Sequence, residues 1–532
     1  MKQVDVLIVG AGHNGLIAAN YLARKGLKVV IAESGDHCGG ASVSQKVFPE
    51  FEAYLSRYSY LISLLPQQII DELGLEFETI PRAISSFTPF VEEGLSDDGT
   101  LIHKGLLVES SQGVGPSLVR EKNVENFNSV FKDSHEFHQW ESFYGDVAHF
   151  AQKIAPTLLE KMPSRSELKA LIDHPIWDEL IENPLGKTLE ARFENDLLRG
   201  IVLTDGLIGT FADAYDFSAN ICFIYHLMGN GTGEWRVPRG GMGNLVTQLE
   251  AQALHYGAEI LLGHRASAIT PKSSDSDLIR VTFENGEVIA AQHLLFAAAP
   301  QILHQLLDSP SQPVKSLDGS QMKINMLVKK LPRLKSGADP REAFAGTFHI
   351  NESYTQLQNA FKQSSLGEIP EEVPGEIYCH TLSDSSILSP QLQEAGYHTL
   401  TLFVLHTPAS LFDREHDTVK AEVLKRVLNG FNSYLLDPIE ECLARNSDGS
   451  FAIEAKTPQE LEREISLPRG NIFHKDLSWP FREDDEKPVW GVETQFDGVY
   501  VIGAGARRGG GVSGIPGRNG ASAIAEKLGF TL

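Results

Sequence analysis

Gly10, Gly12 and Gly15 stand in the sequence GAGHNG with GxGxxG spacing, and Glu33 closes the next apolar run. In that pattern the first glycine permits a tight turn and the second lets the chain approach a pyrophosphate. The third lets a helix pack closely on a strand. Amide groups at the helix N-terminus then face the phosphate charge, and Asn14 lies inside the same turn. A carboxylate ending the second strand accepts hydrogen bonds from a ribose hydroxyl and disfavours a 2′-phosphate. The chemistry implied is dinucleotide binding.

The segment after Glu33 separates the dinucleotides. SGDHCGGAS places Gly39 and Gly40, then Ala41 and Ser42, directly after the acid, as in many FAD enzymes whose chain passes close to an extended cofactor. Near the other end, Gly503, Ala504 and the run Gly509 to Gly511 precede Val512 and Ser513. Such a segment turns backbone N–H groups and a helix N-terminus toward a flavin's pyrimidine edge, where negative charge develops on reduction. These features select FAD.

The elements that must hold these residues are legible in outline. Val4 to Val9 reads as a strand, Leu16 to Arg24 as a helix with Gly26 as its C-cap, and Lys28 to Ala32 as a second strand. This is the βαβ unit of a parallel sheet. Asn126 to Phe150 and Ser166 to Leu180 read as helical, within an inserted substrate or cap region from Pro81 to Gly233. Ile279 to Phe283, Asn285-Gly286 and Glu287 to Ile289 predict a hairpin with a type I′ turn, and Leu294 to Ala298 a buried strand. Beyond Gln301, Glu376 to Leu382 and His398 to His406 read as strands and Thr418 to Leu436 as a helix. Gly498 to Ile502 reads as a late strand and Ala521 to Leu528 as a terminal helix.

GAGHNGL, GGAS, SYLISLLP, WRVPRGGM, GNIFH and GGGVSGIPGRN occur in an order that resembles the phytoene-desaturase-like branch of the FAD-dependent amine oxidase superfamily. Within it, the chain is most similar to the pyridine nucleotide-disulfide oxidoreductase domain-containing protein 2 family. The resemblance implies an α/β fold: a discontinuous Rossmann-like, glutathione-reductase-like FAD-binding domain with an α+β substrate domain. The first takes residues 1–80, 236–300 and 488–532, and the second 81–235 and 301–487. It further implies that Gly241 and Met242 of WRVPRGGM and a backbone contact at Ala266 belong to the cofactor site. Amine oxidases commonly carry Arg after the glycine pair and an acid after the late glycine. Here Ala41 and Ala504 stand there, which turns the expectation from amines toward desaturation. No cysteine lies near Gly503 for a covalent flavin link, so FAD is expected to be held non-covalently.

Composition excludes other classes. A net charge of −24 and a pI near 5.2 argue against nucleic-acid binding. Cys38, Cys222, Cys379 and Cys442 form no CxxC pair, and no metal set is expected. The N-terminus carries no leader pattern, which points to the cytoplasm, and no apolar run spans a membrane, leaving peripheral membrane contact open. His226, His380, His406 and His474 are four of 18 histidines and receive no catalytic role. Trp235 is weighed between cavity and core, and Arg507 and Arg508 between a ligand contact and solvated surface. The expected function is an FAD-dependent dehydrogenase, desaturase or isomerase acting on an apolar organic substrate. The alternatives are a binding protein on the same scaffold, like the Rab GDP-dissociation inhibitors, and an amine oxidase.

Overall fold

The computed structural model describes residues 1–96, 99–110, 116–132, 134–274, 277–308 and 318–532. Two seven-stranded sheets organise them. In the first, the Lys2–Val9 strand runs parallel to Val29–Ala32 on one side and to Val288–Phe296 on the other. Both faces of this strand are covered, so its residues read as a continuous apolar run, and Val6, Leu7 and Ile8 are fully buried. Glu259–Leu261 extends the sheet beyond Val29–Ala32. On the opposite side Val288–Phe296 is shared by two partners. Its first half pairs antiparallel with Ile279–Phe283, and its second half pairs in parallel with Val499–Val501.

The His13–Arg24 helix is buried from Asn14 to Ala23 because it is covered on several sides, by the Gly243–His255 and Ile515–Leu528 helices among others. Each of its buried Leu and Ile side chains contributes roughly 1.5–3 kcal/mol by leaving water. Asn20 Nδ2 donates to Leu16 O and to Leu249 O, both at 2.8 Å, which ties this helix to Gly243–His255. Arg518 and Tyr21 donate to the Glu72 carboxylate at 2.9 and 2.5 Å, joining the terminal helix, the first helix and Gln67–Leu73.

The second sheet runs in the order Ile453–Lys456, Met322–Val328, His398–Val404, Gly375–Tyr378, Thr347–Ile350, Ile84–Leu95 and Leu101–Glu109. All its pairs are antiparallel except Thr347–Ile350 with Ile84–Leu95. Phe344, Phe348 and Phe431 pack on one another within its core.

Several expectations change. Ile84–Leu95 and Leu101–Glu109 are strands within the expected cap region, where the sequence reads only as helices; Pro89 and broken alternation obscure the period. The helical stretch from Asn126 splits at Lys132, whose φ of 65° ends Pro116–Phe131 before His135–Ile154 begins; Asp133 lies outside the described residues. Arg165–Ile172 stops at Asp173, φ 43°, so the next stretch is not continuous with it. In the hairpin only Gly286 has positive φ, and Gly286 N–H donates to Phe283 O at 2.9 Å. The turn is therefore a type I turn closed by a left-handed glycine, not type I′. The two strand segments expected at Glu287 and Leu294 are one, and the terminal helix starts at Ile515. No helix among the described residues is long and apolar enough to cross a membrane.

Candidate functional site

The loop between the first strand and the first helix opens on a cavity of about 390 Å³. Gly12 caps that helix with no side-chain hydrogen bond, so the first N–H groups of the helix are left to a ligand. A Cβ at Gly12 would meet no atom within 4 Å, because that side of the residue is open space. Glu33 is positioned by main chain: its carboxylate accepts from Ala11 N–H and Gly35 N–H, each at 2.8 Å. The Gly39–Gly40 segment runs alongside Gly12, with Gly39 N–H donating to Ala11 O at 2.9 Å. From the far end of the chain, Ala504, Gly511 and Val512 line the same cavity.

The expected residues divide in two. Gly10, Gly12, Asn14 and Glu33 line the cavity, as do Gly39, Gly40, Ala41 and Ala266. The others stand behind the wall. Gly15 is packed on the strand side, where a Cβ would lie 2.2 Å from Gly10 O. Ser42 is fully buried, with its hydroxyl 3.2 Å from His13 Nδ1. Gly241 abuts Ser44 Oγ, and Met242 is buried with its N–H donating to Ser56 Oγ at 2.9 Å. Gly503 crosses 2.5 Å, measured from an added Cβ, above Ala297 O, and Ser513 is buried with its hydroxyl facing Ile515 N–H at 3.4 Å.

Trp235 lines the cavity and stacks on His226, with ring centroids 5.2 Å apart. His474 also lines it, whereas His406 sits among Phe211 and Phe361 away from it. Arg508 meets neither expectation. It is buried, and it donates to Thr157 O and Trp490 O at 2.8 Å each. Arg507 is held by Glu486 and Phe481 O.

Five buried polar atoms on cavity-lining residues have no hydrogen-bond partner among the described residues: His13 Nε2, Asn14 Oδ1, Ser63 Oγ, Tyr225 OH and His474 Nδ1. Unpaired buried polar atoms are costly, so a polar ligand is what this arrangement accommodates. Burial lowers His13, His226 and His474 to about 4 each, which leaves these rings neutral. Lys323 is buried in the wall and held well below its usual range by burial, with Nζ donating to Asn325 Oδ1 at 3.2 Å. Its Nζ lies 4.3 Å from the Tyr60 ring centroid.

Sequence reading passed over His13, Ser63, Tyr225 and Lys323. Two signals were present: His13 lies inside the glycine fingerprint, and Lys323 interrupts an apolar strand, MKINMLV.

A second cavity, of about 510 Å³, lies against the first; Ile208 and Trp235 line both.

A largely parallel sheet with a glycine cradle between its first strand and first helix and an acid after the second strand defines a dinucleotide-binding fold. The chain belongs to the flavin containing amine oxidoreductase family, whose model matches residues 15–327. It is 39% identical to an uncharacterized protein of Mycobacterium tuberculosis, over 98% of this chain and 97% of that one. It is 29% identical to the pyridine nucleotide-disulfide oxidoreductase domain-containing protein 2 of Mus musculus, over 99% and 94%. A solved structure of a putrescine oxidase mutant shares its fold, with a TM-score of 0.56, 16% identity and 99% of each chain covered. The protein is thus an FAD-dependent oxidoreductase, and FAD fits the cavity's open glycine, free helix N-terminus and unpaired polar atoms.

Proposed function

We propose that this oxidoreductase acts on a substrate with an apolar body, removing hydrogen as a dehydrogenase or desaturase; an isomerase, which would return the hydrogen to the substrate, is the variant in which no net flavin reduction builds up. The observation that carries the reading is the junction of the two cavities, where Ile208 and Trp235 line both and Leu64, Ile472, Phe473 and Val512 add apolar surface on the first. A substrate body of that character loses water on entry, which is the main source of its affinity.

In this reading the backbone at Gly12 and the first turn of His13–Arg24 hold the pyrophosphate, Glu33 the ribose, and the main chain at Ala266 the adenine. Gly511 and Val512 face the isoalloxazine end. FAD held there would supply the redox chemistry, as the acceptor of hydride or electrons. The protein excludes water there and offers neutral groups: His226 and His474 are uncharged, and Tyr225 OH and Ser63 Oγ are free to bond a polar atom. None of the four cysteines lines the cavity, which supports non-covalent attachment. We assign residues 1–80, 236–300 and 488–532 to the FAD-binding half, and 81–235 and 301–487 to the substrate half. The membership of the two sheets supports this division.

The test is anaerobic mixing of the flavin-loaded protein with a panel of apolar alkenes, apolar alcohols and short polar amines. Bleaching of the flavin's visible absorbance by apolar members, with free FAD released on acid precipitation, is expected. Reduction by the short amines alone, or neither reduction by any member nor an isomerised product recovered from the apolar alkenes, overturns the reading.

A further inference from the structure

The second cavity carries a cluster that the flavin chemistry does not use. His349, Glu352 and Glu376 are at most 3% exposed. His349 and Glu376 are direct cross-strand partners, on Thr347–Ile350 and Gly375–Tyr378, and Glu352 follows the first of these strands after Asn351, φ 54°. His349 Nε2 lies 3.9 Å from Glu352 Oε2 and 4.0 Å from Glu376 Oε1. These gaps are too long for hydrogen bonds. They are close to the span across an ion held at about 2.0–2.2 Å from each ligand, which a small contraction of the side chains reaches.

We propose that His349, Glu352 and Glu376 form a binding site for a divalent cation of the zinc and manganese class, open on one side to the second cavity.

Each ligand is oriented by a hydroxyl. His349 Nδ1 shares a 2.7 Å hydrogen bond with Thr88 Oγ1, which leaves Nε2 as the nitrogen facing the carboxylates. Thr204 Oγ1 donates to Glu352 Oε2 at 2.9 Å, and Tyr378 OH donates to Glu376 Oε2. Outer hydrogen bonds of this kind fix ligand orientation in metal sites.

An independent observation points to a missing partner. Glu352 Oε1 is sealed from solvent and meets no hydrogen-bond donor among the described residues, although its side chain is 0% exposed.

Glu376 and Asp205, which line the second cavity, face one guanidinium, Arg82, and both crowd Glu352. Arg82 itself is engaged elsewhere, donating to Trp235 O and Thr347 Oγ1 at 3.1 Å each. One imidazole with two carboxylates suits zinc or manganese better than calcium, which takes oxygen ligands only. His349 and Glu376 line the cavity, so an ion can enter and keep a coordination position directed into it.

The experiment uses the full-length, flavin-loaded protein, exposed to Zn²⁺, dialysed, and assayed by elemental mass spectrometry alongside Glu352→Gln and His349→Phe. About one zinc per chain is expected in the wild type, with affinity at least ~10-fold weaker in each variant and flavin content unchanged. Zinc K-edge absorption of the wild type needs no variant to fold, and is expected to show one imidazole with oxygen ligands and no sulfur. Zinc that washes out of the wild type, survives both substitutions or sits among sulfur ligands overturns the proposal.

Discussion

Around Gly12 the first cavity is walled by main chain and small residues, Gly10, Gly39, Gly40 and Ala41, whereas the cavity beyond Trp235 is walled by long side chains such as Arg82, Arg120, Trp140 and Glu376. A backbone-made site demands glycine at fixed spacing, because any Cβ stands where the ligand or a neighbouring element must come. A side-chain-made site imposes no such local rule. His349, Glu352 and Glu376 are ordinary residues until strand pairing sets two of them face to face.

That contrast is open to attack. Gly12→Val adds atoms to open space, so it is expected to fold and melt cooperatively while losing at least about 100-fold in FAD affinity, or about 2.7 kcal/mol. Flavin retained at wild-type affinity would mean that the ligand does not approach this glycine. Gly15→Ala places its Cβ against Gly10 O and is expected to cost about 1–3 kcal/mol of stability, read as a lower Tm of the flavin-free protein. An unchanged Tm would remove the distinction between glycines that serve the ligand and glycines that serve packing.

On the other side, Thr88→Val deletes the hydroxyl on His349 Nδ1 and leaves a buried nitrogen unpaired. About 1–2 kcal/mol of stability should be lost with flavin content untouched. A drop in flavin content would show that the two cavities are coupled.

The smallest effect concerns Glu72. Burial raises this carboxyl, but hydrogen bonds from Arg518, Tyr21 and Gln68 outweigh it and hold it down to about 2. A group depressed in the folded state stabilises above its unfolded value of about 4.3 and gives that stability up as pH falls toward 2. Glu72→Gln should therefore melt below the wild type at pH 7, and the two curves should converge as the pH is lowered through that range. A constant gap would assign the effect to packing.

The same contrast explains what was legible beforehand. The strand, glycine turn, helix and strand of the first forty residues were readable because each carries its own period and its own punctuation. Glu33 falls on the cavity because it follows the second strand of that unit, whereas Ala266, at the start of an edge strand, was reachable only through the family resemblance. Gly241 and Met242 meet Ser44 and Ser56 rather than the open cavity, and spacing alone does not tell a glycine that meets a neighbouring side chain from one that faces open space. Ile84–Leu95 was illegible for a different reason. Its partners lie at Leu101–Glu109 and, far along the chain, at Thr347–Ile350, and its Pro89 imitates a loop. Arg508 looked available for an anion only because the carbonyls of Thr157 and Trp490 that claim it are remote in sequence.

The Val288–Phe296 strand has one edge shared between an early partner and a late one, Val499–Val501, and the segment after that late partner supplies Gly511 and Val512 to the cavity. A ribosome making this chain therefore exposes the glycine fingerprint long before the opposite wall, Gly12 preceding Gly511 by most of the sequence. Pairing so distant in sequence is slow to form. Until the final strand docks, the nascent protein has half a cradle and an unpaired strand edge, the kind of surface that chaperones recognise. The cradle is thus complete only once both segments are in place, and a bound cofactor would hold the two together.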